Sequence, residues 1–273
     1  MAANEARGVV VLAEVAEGKV SGMAQELLGA GRHLADAMGE ALAAAVLGSG
    51  VGACAQEAVA YGADQVYLIE DPLLADPQID AYTAALEQLC RNVQPKIFLV
   101  GKTALGVEVG PRLAFRLGTA LASDCTDLRI DPETKRLVMS RPVFGGNAML
   151  EMVCEERWPQ MATVRGKTQA PLPRDDTRQG EIVSRPASLD ASVLRAKFIS
   201  RHKKVMEGVT LQNAPIVISG GRGLKGPENF KVLQDVAPLS LAGFAGGALN
   251  AHDREKALKR EAEGFGKLAA THE

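Results

Sequence analysis

The chain has 273 residues, a formal net charge of −2, 47% apolar and 23% charged residues. That is enough for one large or two ordinary domains with a sizeable core, and it excludes bulk disorder. A near-neutral chain with only 4% aromatic residues is no dedicated nucleic-acid surface and offers no base-stacking platform.

The four cysteines, Cys54, Cys90, Cys125 and Cys154, form no C-x-x-C pair, so reduced and mostly buried thiols are expected. His33, His202, His252 and His272 are scattered, which argues against a metal site. No apolar run reaches 18 residues, so no membrane insertion is expected. The start reads as no signal peptide, because Val9 to Leu12 is short and Glu14 follows it. A cytoplasmic protein is expected, with a mature organellar protein that has lost its transit peptide as the alternative.

In chain order, Val9 to Ala13 reads as a buried strand, and Met23, Leu27, Leu28, Leu34 and Met38 give a helical stripe ending near Gly39. Ala43 to Leu47 is a second strand, Cys54 to Tyr61 a helix, and Gln65 to Ile69 a third strand. Tyr82 to Cys90 is a helix, Ile97 to Val100 a fourth strand, and about 107 to 117 another helix. Strands alternating with helices predict a parallel sheet covered on both faces, and near-continuous apolar strands fit that burial. The rhythm changes near 122. Asp131-Pro132-Glu133-Thr134 reads as a turn, and Leu137 to Met139, Met149 to Val153 and Met161 to Val164 as strands of an appended antiparallel section.

The stretch 166–190 is polar and proline-bearing and reads as part of a linker-like crossing that runs to Ala214. Arg195 to Lys204 is basic, either a solvated segment or a contact with a partner subunit. Leu239 to Leu249 is small and apolar, and from Asp253 a helix is expected, with Leu258, Ala262, Phe265 and Ala269 on one face.

The chemistry concentrates at 215–231. Pro215 to Ile218 reads as a strand, Gly220, Gly221, Gly223 and Gly226 as a loop carrying Arg222 and Lys225, and Phe230 to Val236 as a helix. Glycine lets backbone approach a ligand, and N–H groups at a helix start favour an anion. The bland alternative is a tight connection with its charges in water. Gly221, Gly223 and Gly226 match G-x-G-x-x-G, but the carboxylate needed near 246 is absent, which weighs against a nicotinamide-dependent dehydrogenase. No Walker lysine pair and no G-x-S-x-G elbow occur. The carboxylate pairs Asp124/Asp127 and Glu155/Glu156 each have a turn or edge-strand explanation, so bond chemistry by side chains is not expected and a cofactor would carry any reactivity.

Ser219-Gly220-Gly221-Arg222-Gly223-Leu224-Lys225 with Glu228-Asn229-Phe230 resembles the opening of the FAD domain of electron transfer flavoprotein α-subunits. Ser123 to Asp127, Arg141 to Ala148, Thr163 to Arg165 and Val9 to Glu14 agree in the same order, so the resemblance spans roughly 8–237. It implies an electron carrier rather than an enzyme: a heterodimer with a β-subunit, holding FAD and passing electrons from flavin dehydrogenases, such as acyl-CoA dehydrogenases, to an acceptor. It implies an N-terminal α/β domain and a flavodoxin-like FAD domain. On this sequence Arg222 is the residue expected to contact FAD, with Gly220, Gly221 and Gly223 shaping the loop and Lys225 beside it. The Gly-Ala-Ser-Arg, Gly-Gln-Thr-Gly and Ser-Gly-Ala segments that family members carry further on are absent, which implies a truncated or divergent FAD domain. The expected organisation is 1–190 as the α/β domain, 191–213 as linker and 214–273 as a partial FAD domain. A flavin-free interaction subunit docking a β-like partner is the alternative.

Overall fold

The computed structural model describes residues 6–196, 199 and 216–236. Chain contacts divide it into two units, 1–199 and 200–273.

In the first unit, β1 (Val9–Leu12) is four consecutive buried apolar residues at the centre of a seven-stranded parallel sheet. A two-residue pair, β2 (Val15–Ala16) and β3 (Lys19–Val20), leads into α1 (Gly22–Met38). Ser21 caps α1 by accepting from Ala24 N at 3.2 Å, and Gly39 ends it at φ 66°, a conformation that suits glycine. There follow β4 (Leu42–Gly48), α2 (Gly52–Ala60), β5 (Gln65–Glu70), α3 (Ile79–Val93), β6 (Ile97–Gly101) and α4 (Gly106–Leu117). Next come β7 (Leu121–Cys125), β8 (Asp127–Ile130), β9 (Leu137–Val143), β10 (Ala148–Val153), β11 (Gln160–Val164) and β12 (Glu181–Ser184). The sheet order is β12-β5-β4-β1-β6-β11-β7.

The strands' period of two divides the core between the faces. Val9 and Val11 pack with Leu27, Leu28 and Leu34 of α1 and Ala55, Ala58 and Val59 of α2. Val10 and Leu12 pack with Leu86 and Leu89 of α3 and Val109 and Leu113 of α4. β8, β9 and β10 form a separate antiparallel sheet whose Leu137 and Met139 join the α1–α2 side of the core.

The architecture agrees with the expected parallel α/β unit with an antiparallel extension, with two corrections. Met161 to Val164 belongs to the parallel sheet, where β11 pairs with both β6 and β7. Its five residues are all buried, because the chain leaves the extension and returns between two existing strands. The stretch 166–190 is no linker either. It crosses the α1–α2 face as a strap and ends in β12, which pairs in parallel with β5. The strap is held by Lys167 N donating to Glu26 Oε2 at 2.7 Å, Asp175 N to Ala60 O at 2.9 Å and Arg178 Nη2 to Asp64 Oδ1 at 2.7 Å. Gly29 of α1 leaves the slot it occupies: a Cβ there would collide with the Ala170 carbonyl. The strap reads as linker because an edge strand with an exposed face can stay polar.

In the second unit, residues 216–220 form no strand. Short turns at Arg222–Leu224 and Pro227–Phe230 precede a helical run over 231–236. A strand gains its ladder bonds only from a neighbour, and no strand is paired with 216–220 among the described residues. The expected segments at 239–249 and from Asp253, and most of the basic run 195–204, lie outside the described residues.

Candidate functional site

In a parallel α/β sheet, ligands and partners are met at the carboxyl ends of the strands. Here that edge gathers the segments singled out in the sequence. Lys102 and Thr103 leave β6, Asp124 sits in β7 and Arg165 leaves β11. Asp124 takes φ 64°, a left-handed conformation that Asp tolerates better than most residues. Its backbone N–H donates to Thr163 Oγ1 at 2.8 Å, and the turned carboxylate accepts a two-pronged fork from Arg165 at 2.8 and 2.7 Å. Lys102 Nζ reaches the same carboxylate at 2.8 Å. Arg141 of β9 joins through Ser123, its Nη1 donating to Ser123 Oγ at 2.9 Å. The strand ends are also tied by backbone bonds, Arg165 N to Cys125 O at 2.8 Å and Lys102 N to Val164 O at 2.7 Å.

The electrostatics follow from this geometry. The Arg165 fork, assisted by Lys102, holds the Asp124 carboxyl well below the usual carboxylate range. Two cations, Lys102 and Arg165, share one carboxylate, so the edge keeps surplus positive charge. Close by, burial pushes the Glu14 carboxyl up, a shift opposed by the Thr103 hydroxyl that donates to it at 2.7 Å. Asp124 and Asp127 are therefore no acid–base pair: one is locked to cations, and the other is exposed on β8. Glu155 and Glu156 are exposed in the loop after β10. The sequence reading missed Lys102 and Thr103, although residues just past an apolar parallel strand are the ones to inspect.

The glycine loop lies in the second unit. Leu224 N donates to Gly221 O at 2.9 Å, Gly226 N to Leu224 O at 2.8 Å, and Asn229 Nδ2 to Leu224 O at 2.6 Å. Arg222 opens the first short turn, and Lys225 is exposed at φ 67°. The glycines separate into two kinds. A Cβ at Gly220 would meet the ends of the Leu224 and Leu233 side chains, which would have to shift to admit it. At Gly221 and Gly223 an added Cβ meets nothing within 4 Å, and neither has a positive φ. The described fold has no need of glycine at these two positions, whereas a phosphate-bearing cofactor approaching bare backbone does. Gly221 and Gly223 thus leave bare backbone open to an approaching group.

No group of three or more potential metal ligands occurs among the described residues. Cys54, Cys90 and Cys125 are buried free thiols, and Cys154 is partly exposed. No described helix is long and apolar enough to cross a membrane.

A family model described as an electron transfer flavoprotein domain matches residues 9–190. The chain belongs to the electron transfer flavoprotein family. It is 37% identical over 243 residues to the electron transfer flavoprotein subunit alpha of Thermoanaerobacterium thermosaccharolyticum, covering 89% of this chain and 73% of that protein. It is 38% identical over 251 residues to the subunit alpha of Megasphaera elsdenii, covering 91% and 74%. Protein FixB of Azotobacter vinelandii is 37% identical over 240 residues, covering 86% and 66%. These matches place the chain on the α-subunit side of the electron transfer flavoprotein family, as the ordered segments implied. The cation cluster at the strand ends therefore belongs to the electron transfer flavoprotein domain itself, since Lys102, Asp124, Arg141 and Arg165 all fall within the matched residues.

Proposed function

We propose that this α-subunit pairs with a β-subunit to carry electrons from flavin dehydrogenases, such as acyl-CoA dehydrogenases, to an acceptor, with FAD held on the segment 214–273. The support is the family match together with Gly221 and Gly223, two glycines that the described fold does not itself need. When bound, FAD supplies the redox chemistry, and the protein's residues bind and orient it. Arg222 contacts the cofactor, Gly221 and Gly223 let it approach the backbone, Gly220 keeps the loop closed over Leu224, and Lys225 adds positive charge at the rim. The domain organisation remains the one drawn from the sequence: 1–190 as the α/β domain, 191–213 as linker and 214–273 as the FAD-binding part. Buried free thiols fit a reducing compartment, and we place the carrier in the cytoplasm.

A specific observation favours one alternative, a flavin-free subunit that only docks its partner. Residues 216–220 pair with no strand among the described residues, and Val217, Phe230, Val232 and Val236 are exposed. Co-purification with the β-subunit of the same source decides between them. The carrier predicts a yellow complex with flavin absorbance that survives gel filtration. A colourless stoichiometric complex would leave only the docking role.

A further inference from the structure

After β12 the chain runs back over the α3 side of the sheet. Arg185 N donates to Leu68 O at 2.8 Å, and Ala187, Leu189 and Leu194 join the part of the core that α3 covers. Arg195 N then donates to Asp80 Oδ2 of α3 at 3.2 Å. Between this exit segment and α3 lies a cavity of about 30 Å³. Its lining includes the apolar Ile69, Leu89 and Ala187 and the polar Arg185, Gln88 and Asn92. A single water needs about 10–15 Å³ of such space, so the cavity has room for a group of a few heavy atoms.

Arg185 carries a charge that the described fold does not answer. Its guanidinium stands over the Tyr67 ring, 5.7 Å from the ring centre, which positions the cation without neutralising it. Burial pushes the Tyr67 phenol up, against the pull of the Arg185 charge, so the ring stays neutral. Arg185 Nε is buried with no acceptor, and the side chain makes no ion pair among the described residues. The carboxylates on the neighbouring elements are engaged elsewhere. Glu87 of α3 is paired with Arg91 and Arg116, Glu181 of β12 accepts from Gln65, and Asp190 accepts from Ser192 N. A buried donor without a partner is costly, so this one calls for an acceptor. Gln88 and Asn92 stand one helical turn apart on α3, line the same cavity and make no side-chain hydrogen bond among the described residues. Each brings amide N–H donors to the space beside the guanidinium.

We propose that this cavity binds a small free carboxylate of one or two carbons, formate or acetate in size. Its oxygens accept from the Arg185 guanidinium and from the Gln88 and Asn92 amides, and its carbon end rests against Ile69, Leu89 and Ala187. A planar fork of donors matches a carboxylate better than it matches a spherical halide. The cavity is too small for a nucleotide, so the site is no second cofactor pocket. Arg185 belongs to the exit segment and Gln88 and Asn92 to α3, so the bound carboxylate clips that segment to the helix. The site lies wholly within the first unit and is independent of the cofactor reading.

The test uses the full chain and isotopically labelled sodium acetate, with binding read from broadening of the acetate resonance at constant ionic strength. A dissociation constant on the order of 1 mM is expected, within the range open to a ligand of so few atoms. Arg185→Gln is expected to weaken binding about 10-fold or more, and Gln88→Leu about 3-fold, as loss of hydrogen bonds to a charged group does. Arg129→Gln, which removes an ion-paired surface arginine of β8, is expected to bind as the parent does. Acetate should slow amide exchange over 187–189 in the parent and leave it unchanged in Arg185→Gln. Sodium chloride at the same concentration should displace little of the acetate. Absent binding, parental binding in Arg185→Gln, or an equal loss with Arg129→Gln would overturn the site and leave an adventitious anion only. Chloride competing on equal terms would make the cavity a plain anion hole and refute the carboxylate assignment. If Arg185→Gln does not fold, parental affinity in Gln88→Leu with unchanged exchange over 187–189 overturns the proposal instead.

Discussion

Replacing Asp124 by asparagine removes the carboxylate that holds Lys102 and Arg165 together and changes little else. Asparagine tolerates the left-handed backbone at φ 64° as well as aspartate does, and its amide oxygen still accepts one bond from Arg165. What is lost is the second prong of the fork and the attraction to two cations. A hydrogen bond to a charged group contributes about 1.5–3 kcal/mol. Asp124 is mostly buried, but both cations are 41% exposed, which lowers the value of each pair towards that of a surface ion pair. We therefore expect a loss of about 2 kcal/mol, or a melting temperature lower by about 4–8 °C in a unit of this size. The pH dependence gives an independent check. A carboxyl whose folded pKa is depressed stabilises the fold above its unfolded value, about 3.9, and that contribution disappears as pH falls towards the folded value. The gap between parent and variant should be full at pH 7 and close below about pH 4. Denaturant midpoints across that range measure it. A gap under about 0.5 kcal/mol at pH 7, the range of an ordinary surface substitution, would refute the claim that this carboxylate clamps the strand ends.

Glu14→Gln should act in the opposite sense. Burial raises the Glu14 carboxyl, so its charged form destabilises the fold at neutral pH, and the parent gains stability as pH falls and the group protonates. The variant is expected to melt above the parent at pH 7, with the margin shrinking on acidification. Gly106→Ala would drive a Cβ into the Gly101 carbonyl at the start of α4 and should cost about 3 kcal/mol in equilibrium unfolding. Gly221→Ala has open space and should unfold as the parent does, yet lower the flavin retained in the complex with the β-subunit. Arg222→Ala should likewise reduce flavin content while the first unit melts unchanged. Equal flavin in parent and variant would remove these residues from the site.

The parts of this fold that could be read directly from the chain are those where burial is total. β1, β4 and β6 are uniformly apolar because both faces are covered, and the stripe Leu27, Leu28 and Leu34 marks the face of α1 that packs on them. β12 escaped notice because Glu181, Ile182 and Ser184 are exposed, and its place comes from backbone pairing with β5, which leaves no mark in composition. β11 could be seen as a strand but not assigned to the parallel sheet, since β8, β9 and β10 separate it in the chain from its neighbours β6 and β7. At the site, Asp124 and Arg165 stood out as family-like residues, but their mutual fork depends on the left-handed turn at Asp124 and could not be inferred from spacing. Gly220, Gly221 and Gly223 looked equivalent as letters. Only the neighbour of each missing Cβ separates the one packed against the Leu224 and Leu233 side chains from the two left open.

The strap over α1 and α2 has a consequence for biosynthesis. β5 waits for β12, a partner more than a hundred residues later. While the ribosome is still adding the intervening helices and the hairpin arm, one rim of the sheet stays bare. A nascent chain stalled before residue 184 would present that rim to other nascent chains, so translation pauses upstream of the strap are the point at which this subunit would need a chaperone most.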